Sequence, residues 1–149
     1  MRGKNLTDIL KKKYDTNNPF KIAKELNIII LYEELGTIKG YYNSFSRQKF
    51  IHINNNLCEE EKLFTCAHEL GHALMHPKAN TPFLKNNTLF SINRLEIEAN
   101  QFAVDLLIND FELKTLIEEN LYTTYQLSDY FRLDLDIINY KLKRLYKNF

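Results

Sequence analysis

The pentapeptide His68-Glu69-Leu70-Gly71-His72 constrains this chain more than any other stretch of it. It is an H-E-x-x-H signature, and on a helix its two imidazoles, four residues apart, face the same way with a carboxylate beside them. Their Cβ atoms lie roughly 6 Å apart, so both rings reach one tetrahedral Zn²⁺ while Glu69 stays near the metal as a proton acceptor. The chain must therefore present a helix here, and it must bring a further ligand to that helix from elsewhere.

The flanking residues favour the helix. The stretch from Asn56 to Met75 reads as one helix, with Asn56 as its cap, Glu59, Glu60 and Glu61 complementing the positive end of its dipole and Pro77 stopping it. Leu63, Ala67, Leu70 and Leu74 form its apolar side. Gly71 is the lone breaker inside it. Glycine there costs about 1 kcal/mol of helix propensity, which implies that something packs closely against it.

Catalytic zinc usually takes three protein ligands, and the third is expected downstream. Residues Ile92 to Ile108 read as a second amphipathic helix, with Ile92, Leu95, Ala99, Phe102, Ala103 and Leu106 on one side. At 100° per residue, Glu96 lies about 60° from the centre of that stripe and Glu98 about 100° from it. Glu96 thus points more nearly inward, and Glu98 remains the alternative ligand. Asn100, one turn beyond Glu96, is placed to orient a ligating imidazole.

The run His68-Glu69-Leu70-Gly71-His72-Ala73-Leu74-Met75-His76, followed by Glu96-Ile97-Glu98-Ala99-Asn100-Gln101-Phe102-Ala103-Val104-Asp105-Leu106-Leu107, resembles the ImmA/IrrE metallopeptidase family. Pro19 to Ile30 and Arg144-Leu145 are similar as well, so the resemblance covers nearly the whole chain. It implies a gluzincin-like zinc site with His68, His72 and Glu96 as ligands and Glu69 as the catalytic carboxylate. It also implies an endopeptidase whose substrate is a DNA-binding, helix-turn-helix repressor of a phage or integrative element. Where members commonly continue Leu-Leu-Met-Pro, this chain has Leu106-Leu107-Ile108-Asn109, a change at a helix end.

Composition agrees with a compact enzyme. A chain of 149 residues with 44% hydrophobic content suits one domain. Over 1–149 the expected order is N-terminal helices and a small sheet through residue 58, metal-site helices over 59–108, and C-terminal helices over 109–149. The net charge of +1 is unevenly spread: basic ends flank an acidic middle that includes Glu59 to Glu61. No apolar run has the length of a signal peptide or a membrane span, so a cytoplasmic protein is expected. Cys58 and Cys66 lack C-x-x-C spacing and are expected reduced, with Cys66 packing in the core.

The remaining elements complete an α+β fold in which a small antiparallel three-stranded sheet packs with the helical core. Asn18-Pro19 opens a helix that ends near a left-handed Asn27. Strands are expected over Ile28–Tyr32, Ile38–Phe45 and Lys49–Ile53. Gly40-Tyr41-Tyr42 and Phe50-Ile51-His52 are the candidate edges for an extended substrate segment. Lys78 to Ser91 reads as a long loop of the kind that often serves as a lid. Thr123-Thr124-Tyr125-Gln126 is a capping box, and a last helix begins near Asp134.

Two further histidines invite other roles. On a straight helix His76 lies about 12 Å along the axis from His68, so one zinc cannot hold both. Pro77 disfavours helical geometry at His76 and frees it to turn toward the cleft, although a structural role is the expectation for it. His52 stands on a strand with no assigned role. The rival to a peptidase is a non-catalytic, zinc-containing regulator that binds DNA or a repressor through its last two helices. Lys141, Lys143, Arg144 and Lys147 would then meet phosphates, but the patch is modest and direct nucleic-acid binding is not expected.

Overall fold

A computed structural model describes residues 2–78, 83–84, 89 and 91–147. Helices α1 (Arg2–Tyr14) and α2 (Pro19–Glu25) precede strands β1 (Ile29–Glu33), β2 (Ile38–Phe45) and β3 (Gln48–Asn54). Helix α3 (Glu59–Met75), a two-residue strand β4 (Phe83–Leu84) and helix α4 (Arg94–Leu107) follow. Helices α5 (Asp110–Glu118), α6 (Thr124–Phe131) and α7 (Leu135–Leu145) close the chain. Among the described residues no helix is long and apolar enough to cross a membrane.

The α+β architecture and the three expected strands are present, but the sheet is mixed rather than antiparallel. Its order is β1-β3-β2-β4, with β1 parallel to β3 and the other pairs antiparallel. The β2–β3 hairpin turns at Ser46 and Arg47, both at positive φ, the handedness that a two-residue turn needs to match strand twist. Only residues 34–37 join β1 to β2, so the chain reverses between them as it does between β2 and β3, and β1 on the other side of β3 runs parallel to it. Phe50-Ile51-His52 is therefore not an edge, because β3 is paired on both sides. Gly40 likewise has β3 on one side and β4 on the other.

Ile51, Ile53 and Tyr42 turn one sheet face into the core, where α3 lies with Phe64, Cys66, Ala67, Leu70 and Ala73 buried. Phe102, Ala103 and Leu106 of α4 complete that core from the other side of α3. Two glycines set the spacing. A Cβ on Gly40 would sit 2.6 Å from the backbone oxygen of His52 and 2.7 Å from the Thr65 methyl, so this glycine lets the sheet lie against α3. A Cβ on Gly71 would come 3.0 Å from Phe102, which is the close neighbour that its place in the helix predicts.

Several boundaries differ from expectation for local reasons. Helix α3 starts at Glu59 with Cys58 as N-cap, because Asn54 turns the chain first by accepting from Asn56 N–H at 3.0 Å. Helix α4 starts at Arg94, where Asn93 Oδ1 accepts from the N–H groups of Leu95 and Glu96. Ile92 therefore lies outside the helix and is 96% exposed rather than part of the apolar stripe. After the departure at Ile108-Asn109, Ile108 is buried and Asn109 caps α5 by accepting from Glu112 N–H at 2.9 Å. The capping box at Thr123 and Gln126 forms with both reciprocal hydrogen bonds. Asn27 is left-handed at the end of α2. Of the loop expected from Lys78 to Ser91, residues 79–82, 85–88 and 90 lie outside the described residues.

Candidate metal centre

The site forms where the buried side of α3 meets the first turn of α4. The i, i+4 spacing puts His68 and His72 on one helix face, and the Asn93 cap places Glu96 in the opening turn of α4 opposite them. The contact between Gly71 and Phe102 lets the two helices approach. Glu96 Oε2 lies 2.9 Å from His68 Nε2 and its Oε1 lies 2.9 Å from His72 Nε2. The donor atoms of these three residues fall within 4.8 Å of one another. All three side chains are buried.

Each imidazole is held from its far side. His68 Nδ1 lies 2.8 Å from Asn100 Oδ1, the outer contact expected of Asn100. His72 Nδ1 lies 3.0 Å from His76 Nδ1, and His76 Nε2 reaches Glu98 Oε1 at 2.7 Å. Glu98, the alternative ligand, therefore sits with His76 and not with the two signature histidines. His76 caps α3 in a non-helical conformation (φ −130°, ψ 60°), the outcome that Pro77 favours, and Tyr42 Oη donates to Pro77 O at 2.9 Å to pin the turn.

The residues fit a divalent cation on electrostatic grounds. Burial lowers the pKa of His68 and favours its neutral ring, although the contact with Glu96 opposes this. A neutral ring carries one N–H, yet both of its nitrogens face oxygen acceptors, Asn100 on one side and Glu96 on the other. With the proton on the Asn100 side, the Nε2 lone pair confronts a carboxylate. A cation between them removes that conflict. Burial also works against the charge on Glu96, but the contacts from His68 and His72 outweigh it and hold its carboxyl at about 2. An anionic oxygen and two neutral imidazole nitrogens form a donor set suited to zinc.

Glu69 is fully buried, and among the described residues neither of its carboxylate oxygens has a hydrogen-bond partner. His68 Nε2 lies 4.0 Å from Glu69 Oε2. Burial, reinforced by the charge on Glu96, raises the pKa of Glu69 well above the ordinary carboxylate value. A buried carboxylate without a partner is costly to folding, which makes Glu69 a candidate functional group.

The other sequence candidates fall elsewhere. His52 is engaged by Glu33, by Asn43 Oδ1 at 2.8 Å and by Tyr41, whose ring stacks on it at 4.1 Å. Cys66 is buried in the core as expected, and Cys58 is exposed. Lys141 is buried, pairing with Asp105 at 2.8 Å and with Asp110, and Arg144 pairs with Asp105 at 2.9 Å. Two of the four residues offered to phosphates by the DNA-binding alternative are thus committed to an internal ion network. His76 is too far along the helix axis to share a metal with His68, but its ring meets His72. The available signal is that His72 to His76 repeats the i, i+4 spacing of His68 to His72.

A profile of the peptidase family described as the IrrE N-terminal-like domain matches residues 23–143. "Uncharacterized immunity region protein 2" of Bacillus phage phi105 is 50% identical over 101 residues, covering 67% of this chain and 64% of that protein. "Metallopeptidase ImmA" of Bacillus subtilis (strain 168) is 31% identical over 137 residues, covering 90% of this chain and 80% of that protein.

Proposed function

Since the chain belongs to the peptidase family of the IrrE N-terminal-like domain, we propose that it is a zinc-dependent endopeptidase that cleaves a DNA-binding repressor of a phage or integrative element. The observation that carries this reading is the buried, unpartnered carboxylate of Glu69 beside the cluster of His68, His72 and Glu96.

His68, His72 and Glu96 would hold the metal. Zinc bound there supplies Lewis acidity, polarising a peptide carbonyl and making water a better nucleophile at neutral pH. Glu69 takes the proton from the attacking water and delivers it to the leaving amine, work suited to a carboxyl group whose proton affinity burial has raised. Asn100 orients His68 by accepting its Nδ1–H, which leaves Nε2 directed at the cluster. The low-dielectric surroundings of these buried groups strengthen each of the electrostatic interactions among them.

The choice of a repressor as substrate is supported by the phage relative, whose name places it in an immunity region. The internal pairing of Lys141 and Arg144 weighs against the DNA-binding alternative. The test is incubation of the zinc-loaded protein with the helix-turn-helix repressor of the element that carries it, with fragments read by mass spectrometry. Wild type cleaves at a defined bond, and Glu69→Gln keeps its zinc while losing about 10²–10⁴-fold in rate. Undiminished cleavage by Glu69→Gln contradicts the mechanism.

A further inference from the structure

We propose that His76 and Glu98 are a positioning pair for His72, a relay that fixes which ring nitrogen of His72 faces the metal and so sets how tightly the metal is held. The inference rests on the reading of His68, His72 and Glu96 as ligands and deepens it. The two signature histidines are supported in different ways: His68 by a neutral amide at 2.8 Å, and His72 by a second imidazole at 3.0 Å that itself contacts a carboxylate at 2.7 Å.

The proton positions follow from the order of acceptors along this chain. Glu98 accepts from His76 Nε2–H, so a neutral His76 presents a bare Nδ1 lone pair. That lone pair accepts from His72 Nδ1–H across 3.0 Å. His72 Nε2 is then left unprotonated and directed at Glu96, as a metal ligand requires. The carboxylate polarises His76, His76 polarises His72, and the ligating nitrogen becomes a better donor.

The fold invests in this arrangement. Pro77 takes His76 out of helical geometry, while the backbone N–H of His76 still donates to His72 O at 2.7 Å, which keeps His76 in register with His72. Tyr42 is almost fully buried and spans from β2 to hold the Pro77 carbonyl at 2.9 Å. Glu98 is steadied on its outer side by Arg94 at 3.7 Å. His76 is 8% exposed, so water competes little for its ring.

The experiment titrates metal-free protein with zinc against a chromophoric chelator, and with cobalt(II) for its visible absorption. His76→Ala and Glu98→Ala are each expected to weaken zinc binding about 10- to 100-fold. The double variant should be no weaker than His76→Ala alone, since Glu98 acts only through His76. Glu98→Gln keeps an oxygen acceptor and should recover most of the affinity, and the cobalt absorption of both alanine variants should shift from that of wild type. Circular dichroism of the metal-free proteins checks folding. Glu98 lies on the partly exposed side of α4, so its variants carry the test where His76→Ala folds poorly. Wild-type zinc binding with variants within about twofold of it, or losses that multiply in the double variant, would overturn the proposal alone. A wild type that binds neither metal would overturn the ligand assignment together with it.

Discussion

Replacing Glu69 by Leu is expected to stabilise the metal-free protein and to abolish cleavage by the zinc-loaded one. The carboxylate is fully buried and, among the described residues, neither oxygen has a hydrogen-bond partner. An unsatisfied buried polar group costs about 1–3 kcal/mol, and a leucine of similar size has no such group to desolvate. Leucine and glutamate have nearly equal helix propensity, so the backbone of α3 contributes little to the difference. At this chain length each kcal/mol moves Tm by roughly 2–4 °C, so the gain should fall between about 2 and 12 °C. The assay is thermal unfolding of chelator-treated wild type and Glu69→Leu, followed by circular dichroism at the same pH and ionic strength. An unchanged or lower Tm would refute the argument that this carboxylate is held against its own solvation for the sake of chemistry.

Three further outcomes follow from the packing. Gly40→Ala would place a Cβ 2.6 Å from a backbone oxygen and should cost about 1–3 kcal/mol, read as a lowered urea midpoint. Lys141→Met leaves Asp105 buried with Arg144 alone and should destabilise by roughly 3–5 kcal/mol in the same titration. Burial would raise the pKa of Asp110, but hydrogen bonds from Lys141 and Lys4 hold it at about 2 against an ordinary 3.8. Its contribution is therefore present above pH 3.8 and is lost as pH falls through about 2. Asp110→Asn should flatten that part of the acid-unfolding curve, by about 1–2 kcal/mol once the screening of a one-third exposed group is allowed for.

The parts of the site that local patterns encode are legible in the sequence. The spacing of His68 and His72 and the inward tilt of Glu96 are properties of single helices, and the i+4 step from Glu96 to Asn100 is another. Gly71 announced a close neighbour by its helix cost alone, and that neighbour is Phe102. Pairing direction in the sheet was not legible, because strand periodicity records burial and not which strand lies alongside. The parallel β1–β3 ladder follows from two chain reversals, over residues 34–37 and at the Ser46-Arg47 hairpin, with that hairpin taking the other side of β3. The internal use of Lys141 was equally hidden, since a lysine on an amphipathic helix looks solvated until Asp105 and Asp110 converge on it from α4 and α5. Local turns moved two helix starts: Asn54 accepts from Asn56 N–H and the chain enters α3 only at Glu59, and Asn93 caps α4 and leaves Ile92 outside it.

The metal content of chelator-free, purified protein tests the central claim most directly, measured by elemental analysis for wild type and Glu96→Ala side by side. The account predicts about one zinc per wild-type chain and a clear loss in the variant, because Glu96 supplies the anionic donor between two imidazoles. A wild type that is metal-free and cannot be reloaded, or a Glu96→Ala protein that holds zinc as tightly as wild type, would contradict it.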